Sequence, residues 1–277
     1  SSIGVFLIWQ QPHIIYFAEL LRQTKGNDEV IINKYKDLVF ATADFMASYA
    51  RWDSTGERYV LGPALIPAQE RFAPETTVNP AFELAYWDFG MRVAQQWRLL
   101  AGLEPNERWQ HVIDHLSPLP VKDNLYLFTE DATDSYSNLL YLTDHPMVLG
   151  LVGFLPPSNY VDMYVMARTL ERVEVAWQWE TIWGWDPPLA AMNATYLDRP
   201  DKAIDLLMLD SPKNNYLMNG HNYQREGLEI YLPGNGGLLS AIALMCTYRS
   251  EYGGDGFPDN GEWVVRHEGF KPWVQAP

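Results

Sequence analysis

The feature that most constrains this chain is apolar spacing that repeats in pairs of segments. Residues 12–23 place Ile14, Phe17, Ala18 and Leu21 on one helical stripe. Residues 33–50 do the same with Tyr35, Leu38, Val39, Thr42, Phe45, Met46 and Tyr49. Together they read as an antiparallel helix pair. Further helices are expected over 81–101, 107–116, 145–154, 162–179, 187–196, 202–209 and 237–249. Strand signals are confined to 58–62, 124–128 and 263–266, too little for a sheet-based core. The fold class is therefore mainly α. Helix pairs returning at intervals of roughly 40–60 residues point to an (α/α) toroid of helical hairpins, read as one domain over 1–277 or the C-terminal portion of one. Nine helices fall short of the twelve such a ring needs, and the chain opens on Ser1 with no helix before Pro12. The reading is a ring incomplete at its N-terminus, finished by a preceding segment or by another chain.

Between the helices lie long stretches rich in Pro, Gly, Asn and Trp, at 62–79, 118–141, 180–188 and 211–236. Loops of that length in a compact domain either carry function or are disordered, and their aromatic content argues against disorder. Aromatic residues make up 14% of the chain, with 11 Trp among them, so a stacking site for the faces of sugar rings is one reading and ordinary core material the other. The net charge of -15 repels phosphate backbones and anionic headgroups, which disfavours nucleic acid and membrane partners. Apolar runs stop far short of the roughly 20 residues that span a bilayer, no signal-peptide core is visible, and a soluble chain of open compartment is expected. The single Cys246 permits no intrachain disulfide.

Residues 61–79, LGPALIPAQERFAPETTVN, lead into the helix PAFELAYW, and LPGNGGLLSAIALM follows far downstream at 232–245. These segments resemble the six-hairpin glycosidases related to glycoside hydrolase family 65. The resemblance runs from about Trp9 to the C-terminus. It implies a glycoside hydrolase that cleaves an O-glycosidic bond with paired carboxylates, inverting at the anomeric carbon, on an oligosaccharide or glycoside substrate and without cofactor or metal. It places the general acid at Glu70. Where the family carries an acidic residue before the acid and paired asparagines after it, this chain has Gln69, Asn79 and Pro80. A disaccharide phosphorylase and a non-catalytic carbohydrate-binding or scaffold protein are the alternatives.

From the residues themselves, Glu70 follows the apolar run Ala64, Leu65, Ile66, Pro67, a setting that raises a carboxyl group's pKa. The second carboxylate is sought first at Asp186, in WQWETIWGWDPP, then at Glu226 and Glu229 upstream of the glycine-rich turn. Asp186 before Pro187 fits a helix cap equally well. Substrate contacts are expected from Trp9, Gln10, Gln11 and His13 ahead of the first helix, from Gln69, Asn79 and Glu83, and from Trp183 and Trp185. Asn219, His221, Asn222 and Gln224 in NGHNYQ complete the set. Gly234, Asn235, Gly236 and Gly237 read as a turn admitting close packing rather than an anion site. The six histidines are read as too far apart for a helical zinc pair.

Overall fold

The computed structural model describes residues 3–25, 28–249, 255–271 and 277. Among these residues there are eight α-helices: α1 (His13–Lys25), α2 (Asp28–Tyr49), α3 (Ala81–Leu100), α4 (Glu107–Asp114), α5 (Met163–Ala176), α6 (Asp186–Tyr196), α7 (Pro200–Leu207) and α8 (Leu232–Thr247). Three two-stranded hairpins accompany them: β1 (Arg51–Asp53) with β2 (Arg58–Val60), β3 (Val121–Lys122) with β4 (Leu125–Tyr126), and β5 (Asn215–Tyr216) with β6 (Asn222–Tyr223). Residues 263–266, expected as a strand, are exposed and pair with nothing among the described residues.

Two helices are apolar on every side and therefore central. In α3 every residue from Ala81 to Met91 is buried, and in α6 the same holds from Asp186 to Thr195. α1 and α2 pack antiparallel beside α3, with α4 behind them, while α7 and α8 flank α6. Trp97 near the end of α3 is fully buried and donates its indole N–H to Glu19 of α1 at 2.7 Å, and Trp87 donates to the Met46 carbonyl of α2 at 3.1 Å. Tryptophan thus serves the core as well as the loops.

The link between the two central helices departs from expectation. Residues 145–154 do not form an α-helix; Met147–Leu151 is a 3-10 turn. Pro146 opens it, Gly153 takes φ +142, and the buried Asn193 side chain of α6 donates to the carbonyls of Leu149 and Val152, occupying acceptors that a helix would have used. Helix α8 starts earlier than expected, at Leu232, with Pro233 in its first turn, so the glycine-rich turn lies inside the helix. The reason is contact. A Cβ on Gly234 would stand 2.4 Å from Asn222 Oδ1, and one on Gly237 would stand 3.2 Å from Pro188.

The histidine expectation is corrected as well. His111 and His115 stand four residues apart at the end of α4 with rings stacked 4.3 Å between centroids. No group of three or more His, Cys, Asp or Glu that could hold a metal ion occurs among the described residues. None of the described helices is long and apolar enough to cross a membrane.

Candidate active site

The loops before α3, α6 and α8 meet at one end of the helical array, joined through the segment ahead of the 3-10 turn. Gln69 is buried, and its side-chain amide donates to the Tyr141 carbonyl. The next residue but one, Arg71, lies 4.0 Å from the Asp144 carboxylate. On its other side Asp144 accepts the Trp183 indole N–H at 2.8 Å. Gly184 then donates its backbone N–H to Gln224 Oε1 at 2.9 Å, which ties the tryptophan-rich loop to the loop before α8.

Glu70 is exposed at this junction. Partial burial raises its carboxyl pKa above the usual range and the negative charge of Asp144 adds to the rise, while His145 and Arg71 act in the opposite direction. A carboxyl group so placed keeps its proton to a higher pH than an ordinary glutamate, the property a general acid needs.

Asp144 has φ +67, a left-handed conformation that Asp tolerates better than most residues. The turn presents Asp144 and His145 side by side, with His145 Nε2 3.8 Å from Asp144 Oδ1. His145 Nδ1 donates to Asp186 Oδ1 at 2.8 Å, and Asp186 Oδ2 accepts the Trp183 backbone N–H at 2.8 Å. Burial works against the His145 charge, yet Asp186, Asp144 and Glu70 together hold its pKa above the ordinary histidine value. The outcome is an alternating row of carboxylate, imidazole and carboxylate beside Glu70.

Asp186 is fully buried with both oxygens engaged, so it orients His145 rather than facing the cleft. Glu226 and Glu229 are exposed on the turn closed by Arg225 and Leu228, and Glu229 accepts the Gly227 N–H at 2.9 Å. Among the described residues no hydrogen bond or ion pair joins either glutamate to the row.

Several of the residues expected as contacts also brace the loops. Asn79, at φ +48, accepts the Leu61 N–H at 2.8 Å and donates to Glu130 at 2.6 Å. Asn222 donates to the carbonyls of Lys213 and Asn215, and Gln224 also donates to that of Ile182. Asn219 is exposed and accepts the His221 N–H at 3.1 Å, and His221 Nδ1 is buried without a partner. Trp9 stacks on Trp185 at 6.3 Å, and His13 shares a 2.8 Å hydrogen bond with Tyr86. Gln10 and Gln11 are half-buried beside them.

Glu83 sits at 1% exposure in the first turn of α3 and accepts the Ala68 N–H at 2.6 Å, anchoring the loop two residues before Glu70. Burial pushes its pKa up from 4.5 to about 7. Between those pH values the folded chain retains a proton that the unfolded chain releases. Stability is therefore fullest below the unfolded value and falls as pH rises toward the folded one, by about 3 kcal/mol in all. In Glu83→Gln, urea unfolding at about pH 5 and about pH 8 should show that loss removed. Equal losses in the two proteins would assign the dependence to another group.

Asp144, His145 and Tyr231, whose ring lies 5.5 Å from that of Trp183, are the site residues that sequence reasoning missed. The available signal was the run Asp144-His145-Pro146, where the residue before proline is disfavoured in the α region, which takes His145 out of the helix assigned to it.

No family model matches the sequence, and no curated protein matches it. Among solved structures the chain is similar to one named "Putative kojibiose phosphorylase from human microbiome", at 8% identity and a TM-score of 0.53. The match covers 71% of this chain and 33% of the other, so the chain spans about a third of that structure's length. The fold is that of an (α/α) toroid. At such low identity the likeness carries the arrangement of helices and nothing about the reaction.

Proposed function

We propose that this chain forms the catalytic end of an enzyme that cleaves O-glycosidic bonds. The single observation behind the reading is the row of Glu70, Asp144, His145 and Asp186 at the meeting point of aromatic loops. Glycoside cleavage by inversion needs one carboxylic acid and one carboxylate. In this reading Glu70 gives its proton to the leaving oxygen as the bond from the anomeric carbon breaks. Asp144 takes a proton from the water that attacks the opposite face. Asp186 holds His145, and His145 with the Trp183 indole fixes the Asp144 carboxylate. Trp183 and Trp185 give the sugar its stacking surface.

The test is Asp144→Asn compared with Asp186→Asn, Glu226→Gln and Glu229→Gln on a panel of oligosaccharides. Asp144→Asn should lose roughly 10²–10⁴-fold in kcat, and the exposed Glu226→Gln should lose almost nothing. If Glu226→Gln or Glu229→Gln is the silent enzyme while Asp144→Asn turns over normally, the base is that glutamate instead. Failure of every variant to change a measurable activity would remove the whole reading.

A phosphorylase is the second reading, the reaction for which the structural neighbour is named. Phosphate would then replace water and release a glycosyl phosphate. Adding inorganic phosphate and assaying for that product separates the two.

A further inference from the structure

Helix α8 is at odds with its surroundings. From Leu232 to Thr247 it carries no charged residue, the composition of a helix buried on every side. Yet only Gly234, Ala241 and the stretch from Met245 to Thr247 are buried, while Leu239 is 70% exposed and Leu232 and Ile242 are exposed as well. Helix α1 repeats the mismatch. Its buried face holds Ile15 and Ala18, but Ile14, Phe17 and Leu21 form a second stripe at helical spacing that is open to solvent, with Phe17 at 55% exposure.

The two bare faces belong to one slot. Both helices begin at a cavity of about 280 Å³, bordered by His13 and Phe17 of α1 and by Pro233, Gly237 and Ser240 of α8. A strap links their other ends. Asp255 pairs with Arg249 at 3.3 Å, a Cβ on Gly256 would stand 2.4 Å from the Met245 carbonyl oxygen, and Lys271 donates to the Thr24 carbonyl of α1 at 2.9 Å. Between cavity and strap, α1 packs on α2 and α3, and α8 packs on α6 and β6. In a ring of helices the first and last either cover each other or are parted by further helices. Apolar stripes left open on both mark the second case, since uncovered patches of this kind are interaction surfaces. The chain also spans only about a third of the length of the solved structure it resembles.

We propose that this slot is the docking site of an amphipathic α-helix from outside these 277 residues, one of those that close the ring. Its apolar ridge repeats at i, i+3 or i+4, and i+7, and runs the roughly 20–24 Å of α1 and α8. One large apolar side chain of that ridge enters the cavity. Gly236 and Ser240 keep the α8 wall low enough for close approach. The helix's outer face is basic, because the chain it joins carries a net charge of -15. A second copy of this chain fits the slot poorly, since it brings the same -15 and its own bare stripes lie on helices already held in place.

Fluorescence anisotropy at physiological salt tests this on the whole chain with two labelled leucine–lysine peptides of one composition. One has its leucines on a single helical face and the other has them scattered. The first should bind saturably, and the second about 10-fold more weakly or worse, because it offers no continuous apolar ridge. Phe17→Glu and Leu239→Glu should each weaken the first peptide by about 10-fold or more, as each sets a charge against that ridge. Val175→Glu, at an exposed apolar position on α5, should leave binding unchanged, with circular dichroism confirming that the helices persist in all three. Equal binding of the two peptides would reduce the effect to net charge, and this arm needs no variant to fold. Absent binding, or wild-type binding by both slot variants, would overturn the proposal as well. Sedimentation of the chain alone should show a monomer; a dimer that Leu239→Glu splits would make a second copy the occupant and overturn the assignment.

Discussion

Glu70→Gln is expected to lose turnover of substrates with poor leaving groups by roughly 10²–10⁴-fold, the usual contribution of a positioned general acid. The amide matches the carboxyl group in shape and keeps an acceptor, so binding should survive while proton donation does not. An activated aryl glycoside needs little help in departure and should lose far less. The contrast between the two substrates is the diagnostic, because a general loss of folding would lower both together. The pH profile offers a further check. The wild-type rate should fall on the alkaline side as Glu70 gives up its proton, at a pH above the ordinary carboxylate range because burial and Asp144 raise that value. In the variant, the residual rate on the activated substrate should lack that limb. Wild-type rates on both substrates would take the acid role away from Glu70.

Gly184→Ala should be strongly destabilising. A Cβ there would stand 1.8 Å from Asn222 Oδ1. Asn222 is fully buried and donates to two backbone carbonyls, so its side chain cannot swing aside without breaking both bonds. Overpacking combined with two lost hydrogen bonds implies a cost of roughly 3–5 kcal/mol. Because Gly184 lies between Trp183 and Trp185, activity should fall even at temperatures where the helices persist. Gly236→Ala is the control. It sits in α8 with open space around its would-be Cβ, and helix propensity alone should raise stability by about 0.5–1 kcal/mol. Thermal and urea unfolding of the two variants measures the contrast. A Gly184→Ala protein as stable as the wild type would mean that the loop junction is not the rigid contact described.

Much of the helical framework could be read from spacing alone, because α2, α3 and α5 each bury one face or their whole surface and their apolar periods are long. What misled was local chemistry at the ends. His145 looked like the start of a helix because apolar residues follow it, yet Gly153 diverts the backbone and Asn193 takes over the carbonyls of Leu149 and Val152. Glu70 is put forward by the family resemblance, since a carboxylate after an apolar, proline-bearing run reads as readily as an ordinary loop glutamate. The partner position was not legible, since Asp186, in the richest aromatic surroundings, turns inward to hold a histidine 41 residues away in the chain. Asn79, Asn222 and Gln224 looked like sugar contacts for the same reason that makes them good braces, as a carboxamide serves a hydroxyl and a backbone group equally well.

That bracing governs how the rim can move. Between loops the fastening is by carboxamide side chains: Gln224 holds Gly184 and Ile182, and Gln69 holds Tyr141, while Asn222 reinforces the β5–β6 hairpin at Lys213 and Asn215. A ladder frays one rung at a time, whereas Gln224 holds residues 182–184 through both atoms of one amide, so releasing that side chain frees the segment at once. Local opening of the rim is therefore a single cooperative event, separate from unfolding of the helices. The mouth of the toroid then behaves as a latch with few states, open or shut as a unit.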